Sequence, residues 1–186
     1  IPTTIDINKY KFSRKKNQKN LTIGWSGSSS TSKYIENFLP ILIKLRKKKK
    51  FKILIIGSKL KIKNNYINCV EWSSKTELKY LNQIDIGLMP LPNNLWTKGK
   101  CGLKILQYLA VGIPSIASNV GMNSEIIANG KNGYLINNKK EWETYLKKIL
   151  NNPKSISKMR LNCRKIIEKN FSNFAIINQL SLILRM

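Results

Sequence analysis

Residues 21–57 read LTIGWSGSSSTSKYIENFLPILIKLRKKKKFKILIIG. The stretch opens with a short apolar segment at 21–25, passes through a loop of glycine and serine, and closes with a second apolar segment at 52–57. Between the two, residues 31–49 carry a helix-like apolar pattern, and Thr31 is a suitable N-terminal cap for that helix. The order strand, loop, helix and strand predicts two parallel strands joined by a helix.

The same alternation continues through the rest of the chain. Further strands are predicted at 66–72, 84–90, 115–118 and 133–136, and helices at 74–81, 102–111, 125–128, 139–150, 155–170 and 171–185. The strands are nearly continuous apolar runs, as expected where both faces of a parallel sheet are covered. The sequence therefore predicts an α/β fold with one Rossmann-like, doubly wound parallel sheet in residues 21–186. Residues 1–20 are interpreted as an interdomain linker or entry segment.

The composition excludes several kinds of chemistry. The chain has 186 residues, of which 42% are hydrophobic, and this is enough to form a core without crosslinks. It contains no histidine, which excludes His-based acid–base catalysis, a Ser-His-Asp triad and His-ligated zinc within this chain. Cys69, Cys101 and Cys163 are odd in number and lack C-x-x-C spacing, so free thiols in a reducing compartment are expected.

The sequence does not indicate a membrane-spanning segment or a signal peptide. No apolar run approaches the roughly 18–20 residues that are needed to cross a bilayer. The chain opens with Ile1 rather than methionine, so we interpret it as a piece of a longer protein. The last predicted helix, at 171–185, is expected to pack on this domain or on the rest of that protein rather than on lipid.

The charge of the chain has two interpretations. Lysine and arginine number 34 against 9 acidic residues, so the formal net charge is +25, as in many nucleic-acid-binding modules. The lysines are nevertheless dispersed, as in a protein encoded by AT-rich DNA, and only residues 46–50 form a dense run. That run closes a predicted helix, where the helix dipole favours cations. A solvated helix end is favoured over a polyanion-binding patch, but both interpretations stay open.

Ligands of doubly wound sheets bind at the carboxyl ends of the strands. Two glycine-bearing loops lead from this edge into predicted helix starts, one followed by Lys33 and the other ending in Lys104. Free backbone N–H groups and the helix dipole suit a phosphate there, and the two lysines would neutralise a diphosphate. Gln107, one turn further along, would bond a ribose hydroxyl. The simpler alternative is that these glycines only form turns and these lysines only face solvent.

The stretch at 99–118, GKCGLKILQYLAVGIPSIAS, resembles the signature of the group 1 (family 4) glycosyltransferases. VGMNSEII at 120–127 and NGYL at 132–135 continue the resemblance, and DIGLMP at 85–90 resembles the strand that leads into the signature. GWSG at 24–27, followed by Lys33, resembles the first glycine turn and the donor-binding lysine of that family. The resemblance covers nearly the whole chain, in order and at sensible spacing.

The resemblance implies a GT-B fold, in which two Rossmann-like halves enclose a cleft. This chain looks like the C-terminal half, which binds a nucleotide-diphosphate sugar, and most of an unknown acceptor's site would lie in the N-terminal half that is missing from it. The implied activity is metal-independent transfer of a hexose in polysaccharide or glycoconjugate synthesis, without a cofactor or a nucleic-acid partner. The implied location is the cytoplasm, with peripheral contact at the inner face of the membrane.

The resemblance also implies individual roles. Lys33 and Lys104 would be the catalytic residues, because they would balance the phosphates and stabilise the leaving group. Trp72 would stack on the nucleobase, although a place in the core is the alternative. The implied donor-binding residues are Gly27, Ser28, Lys33, Trp72, Gly99, Lys100, Cys101, Gly102, Leu103, Lys104 and Gln107.

The chain departs from the family's pattern at three positions. Many members carry a Glu-x7-Glu pair where this chain has Gly99 and Gln107, and an arginine where it has Ser28. Gln107 can still bond a ribose because its amide both donates and accepts, whereas Gly99 cannot hold a sugar hydroxyl. An inactive GT-B-like copy and a basic α/β nucleic-acid-binding module therefore remain alternatives to a transferase.

Overall fold

The computed structural model describes residues 2–13, 20–60 and 64–184. Six parallel strands form one sheet in the order β3-β2-β1-β4-β5-β6. The strands are β1 (Thr22–Ser26), β2 (Lys52–Ile56), β3 (Ile67–Val70), β4 (Ile86–Met89), β5 (Ser115–Ser118) and β6 (Gly133–Ile136). The helices are α1 (Ser32–Arg46), α2 (Glu77–Leu81), α3 (Leu95–Lys98), α4 (Leu103–Ala110), α5 (Asn123–Ile126), α6 (Lys139–Asn151), α7 (Lys154–Asn170) and α8 (Asn173–Leu184).

The strand order confirms the predicted doubly wound sheet. The chain moves outward from β1 to β3 and then returns to the other side of β1 with β4. Alternate side chains of each strand pack on opposite faces: Ile53 and Ile55 of β2 join the layer of α1 and α6, whereas Leu54 and Ile56 join the layer of α4 and α7. Both faces of the sheet are therefore buried, which explains the apolar strands.

Several predicted boundaries differ from those in the structure. β5 and β6 have the predicted bounds, while β3 is shorter and α1 ends at Arg46, so the lysine run lies mostly beyond the helix rather than in its last turn. Thr31 does not cap α1 with its side chain, because a 3₁₀ turn at Ser29–Thr31 precedes the helix and the Thr31 hydroxyl donates to Ser28 O (3.0 Å).

The loop predicted at 91–101 contains the short helix α3, which the sequence analysis missed. Asn94 caps it: its side chain accepts from the Thr97 N–H group (2.9 Å), and its own N–H group donates to the Thr97 hydroxyl (3.2 Å). These two hydrogen bonds stabilise one helical turn in a stretch whose sequence has no helical apolar pattern. The predicted short helix at 125–128 begins two residues earlier, as α5, and the last helix begins at Asn173 rather than at residue 171.

The described part of the predicted entry segment packs against the sheet domain. The Ile5 N–H group donates to Phe171 O (2.8 Å), and both Ile5 and Tyr10 are buried. Arg164 of α7 donates to Tyr10 O (2.8 Å) and to Ala110 O (3.1 Å), which ties the segment to α4 and α7. Residues 14–19 lie outside the described residues, so the boundary at residue 20 stays a prediction.

A buried ion pair joins α7 to the sheet. Arg160 Nη2 lies 2.8 Å from Asp85 Oδ1, and Asp85 Oδ2 accepts the N–H group of Thr22 at the start of β1 (2.9 Å). Arg160 also donates to Gly112 O (3.2 Å). Moving α7 away from the sheet would separate this pair and leave a buried charge without its partner, which is costly. The ion pair is therefore expected to hold α7 on the sheet.

The last helix, α8, rests against α7 with Ile176 buried. Its other side leaves Phe174, Ile177, Ile183 and Leu184 exposed. Across the ranges that the structure describes, no helix combines the length and the apolar character required to cross a membrane.

Candidate functional site

A cleft of about 810 Å³ opens at the carboxyl ends of β1, β2 and β3, beside the start of α4. It lies near the point where the strand order reverses, which is where such sheets bind ligands. The residues that line it are Ser26, Gly27, Ser28, Ser29, Ser32, Gly57, Ser58, Lys59, Glu71, Trp72, Glu77, Leu103, Lys104 and Gln107. The predicted site residues that it brings together are Gly27, Ser28, Trp72, Leu103, Lys104 and Gln107.

The turn after β1 forms one wall of the cleft. The Ser26 N–H group donates to the buried hydroxyl of Tyr108 (2.7 Å), and the Gly27 N–H group donates to Ile56 O (2.9 Å). Gly57, in the left-handed region at φ +87°, lies so close that a Cβ atom there would collide with the Gly27 carbonyl oxygen. Two strand-end turns therefore pack backbone against backbone, which only glycine allows here.

Lys104 extends from the first turn of α4 to this wall. Its Nζ atom lies 4.7 Å from the centre of the Trp25 ring and donates to the Thr31 hydroxyl (3.3 Å). No carboxylate among the described residues pairs with it. Burial and, to a smaller degree, the charge of Lys100 lower the pKa of Lys104 to about 8. An anion bound in the cleft would supply the missing negative charge and favour the ammonium form.

The start of α4 adds to this attraction for anions. Gly102 occupies the N-cap position at φ +72° without any side-chain cap, and the neighbouring Leu103 is half exposed. The first N–H groups of a helix have no partners within the helix and carry the positive end of its dipole. Together with Lys104 they give this end of the cleft a positive potential.

The cleft also holds a carboxylate that the sequence alone did not indicate. Glu77, in the first turn of α2, is buried, and it accepts hydrogen bonds from Tyr10 Oη (2.8 Å), Trp72 Nε1 (3.0 Å) and Gln107 Nε2 (3.1 Å). Burial and the Glu77 carboxylate raise the pKa of Tyr10 to about 12. The donors come from the entry segment, the loop after β3, and α4, so no local spacing in the sequence indicated the cluster.

Trp72 and Gln107 both line the cleft, and the ligand contacts expected of them stay predictions. Trp72 is 53% exposed and lies beyond the end of β3, which excludes the alternative of a core residue. The Gln107 side-chain nitrogen donates both to Glu77 and to the Tyr10 hydroxyl (2.7 Å), so its two hydrogens are engaged within the protein. Only the amide oxygen of Gln107 is left to contact a ligand.

Lys33 lies away from the cleft. Its Nζ atom is 5.5 Å from the centre of the Tyr34 ring, and the exposed side chain lines a second cavity of about 700 Å³, next to residues 90–94. That Lys33 and Lys104 act together on one diphosphate stays a prediction.

The remaining predicted residues belong to the loop before α4 and do not line the cleft. Gly99 and Cys101 are exposed, and Lys100 Nζ lies 5.7 Å from the centre of the exposed Trp96 ring. Gly102 is buried and shapes the helix start rather than the surface of the cleft. The arrangement thus offers an anion site at Lys104 and hydrogen-bonding groups at Glu77 and Gln107. In the part of the chain that the structure describes, no three Cys, Asp, Glu or His residues cluster closely enough to hold a metal ion.

Comparisons with known proteins agree with this fold. A family model described as glycosyl transferases group 1 matches residues 6–169. The C-terminal domain of the group 1 glycosyl transferase LpcC from Francisella tularensis is 18% identical with a TM-score of 0.74, and the alignment covers 91% of this chain and 99% of that one. A glycosyltransferase from Rickettsia africae ESF-5 is 17% identical with a TM-score of 0.77, over 97% of this chain and 55% of that one.

A third structure was solved with ligands. Anabaena HepE, in complex with UDP and glucose, is 16% identical with a TM-score of 0.75, over 98% of this chain and 55% of that one. This chain therefore spans about half the length of the HepE and Rickettsia structures. No curated protein matches the sequence. At these identities the structures establish the fold, and the family match extends over most of the residues. The chain belongs to the group 1 glycosyl transferases.

Proposed function

We propose that this chain is the donor-binding half of a glycosyltransferase and that the cleft at α4 holds a nucleotide-diphosphate sugar. The observation that carries the proposal is Lys104, a half-buried cation with a lowered pKa and no carboxylate partner among the described residues. The diphosphate would lie against Lys104 and the turn at Gly27, near the start of α4. The nucleoside would extend toward Trp72 and Gln107.

Charge neutralisation is the proposed catalytic contribution of this half. When the bond between the sugar and the diphosphate breaks, negative charge builds up on the departing phosphate oxygen. We propose that Lys104 and the first N–H groups of α4 face that charge and stabilise it with little reorganisation. We propose that the reaction needs no metal ion, because these groups take over the neutralisation. Lys33 would act as a second cation only after its side chain turns away from Tyr34.

The rest of the activity is proposed for a longer protein. The HepE and Rickettsia structures are about twice as long as this chain, which supports a second, N-terminal GT-B half that carries most of the acceptor site. The HepE complex supports a UDP-sugar among the candidate donors, and a hexose as the transferred group. We propose a role in polysaccharide or glycoconjugate synthesis at the cytoplasmic face of a membrane, where the net charge of +25 would attract anionic lipids.

The test is a calorimetric titration of the chain with UDP, GDP and ADP at physiological salt. One nucleotide is expected to bind saturably, and Lys104→Met is expected to weaken its binding by about tenfold or more. Lys165→Met, which removes one exposed positive charge from α7, is the matched control and should bind like the unaltered chain. EDTA should leave the affinity unchanged.

A short DNA duplex provides the alternative outcome. Binding to the duplex alone, with an affinity that falls steeply as salt rises, would contradict the proposal and favour a nucleic-acid-binding module. Equal affinities of the Lys104→Met and Lys165→Met variants for the nucleotide would contradict the assignment of the diphosphate to this end of the cleft.

A further inference from the structure

A second cavity, of about 700 Å³, opens on the same edge of the sheet as the cleft. The carboxyl ends of β5 and β6, the residues that follow β4, and the helices α1 and α6 surround it. The start of α1 separates the two spaces, because the Thr31 hydroxyl accepts from Lys104 of the cleft, whereas Tyr34 lines the second cavity. The volume of the second cavity lies within the range of about 300–1,000 Å³ that is usual for ligand sites. It can therefore hold a ligand that does not occupy the cleft.

Uncharged polar side chains dominate the wall of the second cavity. In the described ranges no aspartate or glutamate lines it, and Lys33 and Lys139 are its charged residues. The asparagines of the wall are Asn37, Asn93, Asn94, Asn119, Asn137 and Asn138. An amide both donates and accepts hydrogen bonds, as a hydroxyl group does, whereas ionised carboxylates only accept. The wall therefore favours a ligand that carries many hydroxyl groups.

Several of these amides are free to bond a ligand. The exposed side chains of Asn37 and Asn93 form no hydrogen bond with any described residue. Asn94 uses its side-chain oxygen to cap α3, which leaves its NH₂ group. Asn119 donates from its side-chain nitrogen to the Asn137 oxygen (2.9 Å), which leaves its own oxygen. Whole amides, a further donor and a further acceptor are therefore available around the same cavity.

Hydrogen bonds hold the wall in place at the start of α6. The Asn138 side-chain oxygen caps the helix by accepting from the Lys140 and Glu141 N–H groups (3.1 Å each). The Glu141 carboxylate accepts from the Asn137 N–H group (2.8 Å), and Asn137 in turn holds Asn119. Because these groups are ordered before a ligand arrives, little of their side-chain entropy is lost when it binds.

The floor of the second cavity is apolar. Phe38 of α1 and Trp142 of α6 are buried, and their ring centres lie 4.5 Å apart with the ring planes at 60°. Ile41 and Ile136 line the cavity as well. A pyranose ring presents hydroxyl groups along its edge and C–H groups on its faces, so it matches a cavity with amides on the wall and an apolar floor. The two features together indicate a saccharide.

We propose that the second cavity binds a segment of a saccharide chain through the free amides on its wall. Sugar hydroxyl groups bond these amides, and the faces of the sugar rings pack on the apolar floor. The bound chain is the glycan to which the transferase adds its sugar, and this role rests on the proposed function. Sugar units away from the reacting end of that glycan occupy the cavity, so a chain binds more tightly than a single sugar.

The experiment titrates the isotopically labelled chain with neutral tetrasaccharides of glucose, galactose, mannose and N-acetylglucosamine and follows its NMR spectrum. The probes are neutral because a chain with a net charge of +25 attracts acidic glycans of any structure. At least one tetrasaccharide is expected to bind saturably, to shift the indole signal of Trp142, and to bind more tightly than its monosaccharide. The double variant Asn37→Ala/Asn93→Ala is expected to bind it at least about fivefold more weakly, because two hydrogen-bonding amides are lost.

The double variant Asn82→Ala/Asn151→Ala is the matched control. Both asparagines are exposed and line neither the cleft nor the second cavity, and Asn151 lies at the other end of α6. This control should bind the tetrasaccharide like the unaltered chain. All four positions are exposed, so both double variants should fold, and thermal melting checks this. Titrations with UDP, GDP and ADP, with and without the tetrasaccharide, measure nucleotide binding in parallel, and the two kinds of ligand should bind together.

The outcomes separate the two proposals. If nucleotides bind but no tetrasaccharide does, or if both double variants bind the tetrasaccharide equally, the saccharide site is wrong and the proposed function stands. If a nucleotide displaces the tetrasaccharide, the saccharide occupies the cleft and its assignment to the second cavity is wrong. If a tetrasaccharide binds as expected and no nucleotide binds, the proposed function fails, and the second cavity is a saccharide site without a role in transfer.

Discussion

The Nζ atom of Lys104 lies so close to Gly27 that a Cβ atom at position 27 would come within 2.6 Å of it. The same Cβ atom would also collide with the Trp25 ring, over which the ammonium group is held at 4.7 Å from the centre. The absence of a side chain at position 27 therefore allows the cation to rest on the aromatic ring. This arrangement orients the charge without neutralising it.

The affinity for a diphosphate should depend on pH through Lys104. Its pKa is lowered to about 8 by burial, and a bound anion favours the charged form. The affinity of the chain for pyrophosphate is therefore expected to fall as the pH rises from 7 to 9.5, by up to about tenfold for each pH unit above 8. Calorimetric titrations at four pH values would measure this. The same titrations of Lys104→Met measure the effect of the probe's own ionisation, and a fall that is no steeper in the unaltered chain than in this variant would contradict the prediction.

The same lysine should destabilise the ligand-free protein. In the unfolded chain its pKa returns to 10.5, so between pH 8 and 10.5 the unfolded state binds more protons than the folded state. The free energy of unfolding should accordingly rise with pH over this window. At pH 7, Lys104→Met is expected to raise it by on the order of 1 kcal/mol, because a desolvated charge is removed. Urea unfolding without ligand measures the change, and a less stable variant would contradict the prediction.

Tyr108→Phe should loosen the turn after β1. Tyr108 is fully buried, burial raises the pKa of its hydroxyl, and this hydroxyl accepts the Ser26 N–H group at 2.7 Å. The variant leaves that N–H group unsatisfied at a cost of about 1–3 kcal/mol in the free energy of unfolding, and nucleotide affinity should fall with it. Denaturant unfolding and calorimetry measure the two effects.

The control for this variant is Tyr134→Phe. Tyr134 is also buried and stacks on Tyr145 with ring centres 4.4 Å apart, but its hydroxyl bonds no described residue. The free energy of unfolding should change little in this control. Equal losses in the two variants would show that the effect at Tyr108 comes from ring packing rather than from the hydrogen bond to Ser26.

Substitution by alanine should change the free energy of unfolding in opposite directions at two glycines before α4. Gly102 has φ +72°, and a Cβ atom there would collide with Ile126, so Gly102→Ala is expected to destabilise by at least about 1 kcal/mol. Gly99 has φ −75°, and its Cβ atom would approach no closer than 3.7 Å to Trp96 O. Gly99→Ala should therefore stabilise by about 0.4–1 kcal/mol, because it restricts the unfolded chain. Chemical unfolding measures the change in the free energy of unfolding of both variants. Changes of the same sign would contradict the prediction.

The sheet could be predicted from the sequence because each strand is a local apolar run. The bounds of β5 and β6 were predicted to the residue, and β2 differs by only one. The helix α3 was not predicted, because the side chains of Asn94 and Thr97 stabilise it through a capping box. A short polar segment of this kind has the sequence pattern of a loop. Local hydrophobic pattern thus predicted the sheet but not a short capped turn.

The candidate site was predicted only in part. Lys104 and Gln107 were identified because they follow a recognisable glycine turn and lie on one helix. Glu77 was not identified, because its significance comes from Tyr10 and Gln107, which are 67 and 30 residues away. The position of Lys33 depends on the exact rotation of the first turn of α1, which no residue pattern specifies. Long-range polar contacts are therefore the part of the site that required the structure.

The contact between Tyr10 and Glu77 has a consequence for local unfolding. Tyr10 belongs to a segment that has only turns and one isolated bridge, and such segments open at lower free energy than a sheet does. Each fraying event would withdraw one of three donors from Glu77 and leave Gln107 without its second acceptor. The fraction of molecules in which residues 2–13 are docked would then multiply the apparent nucleotide affinity. Protection of the Ile5 and Tyr10 amides in hydrogen exchange should accordingly rise when ligand binds, even though neither backbone group lines the cleft.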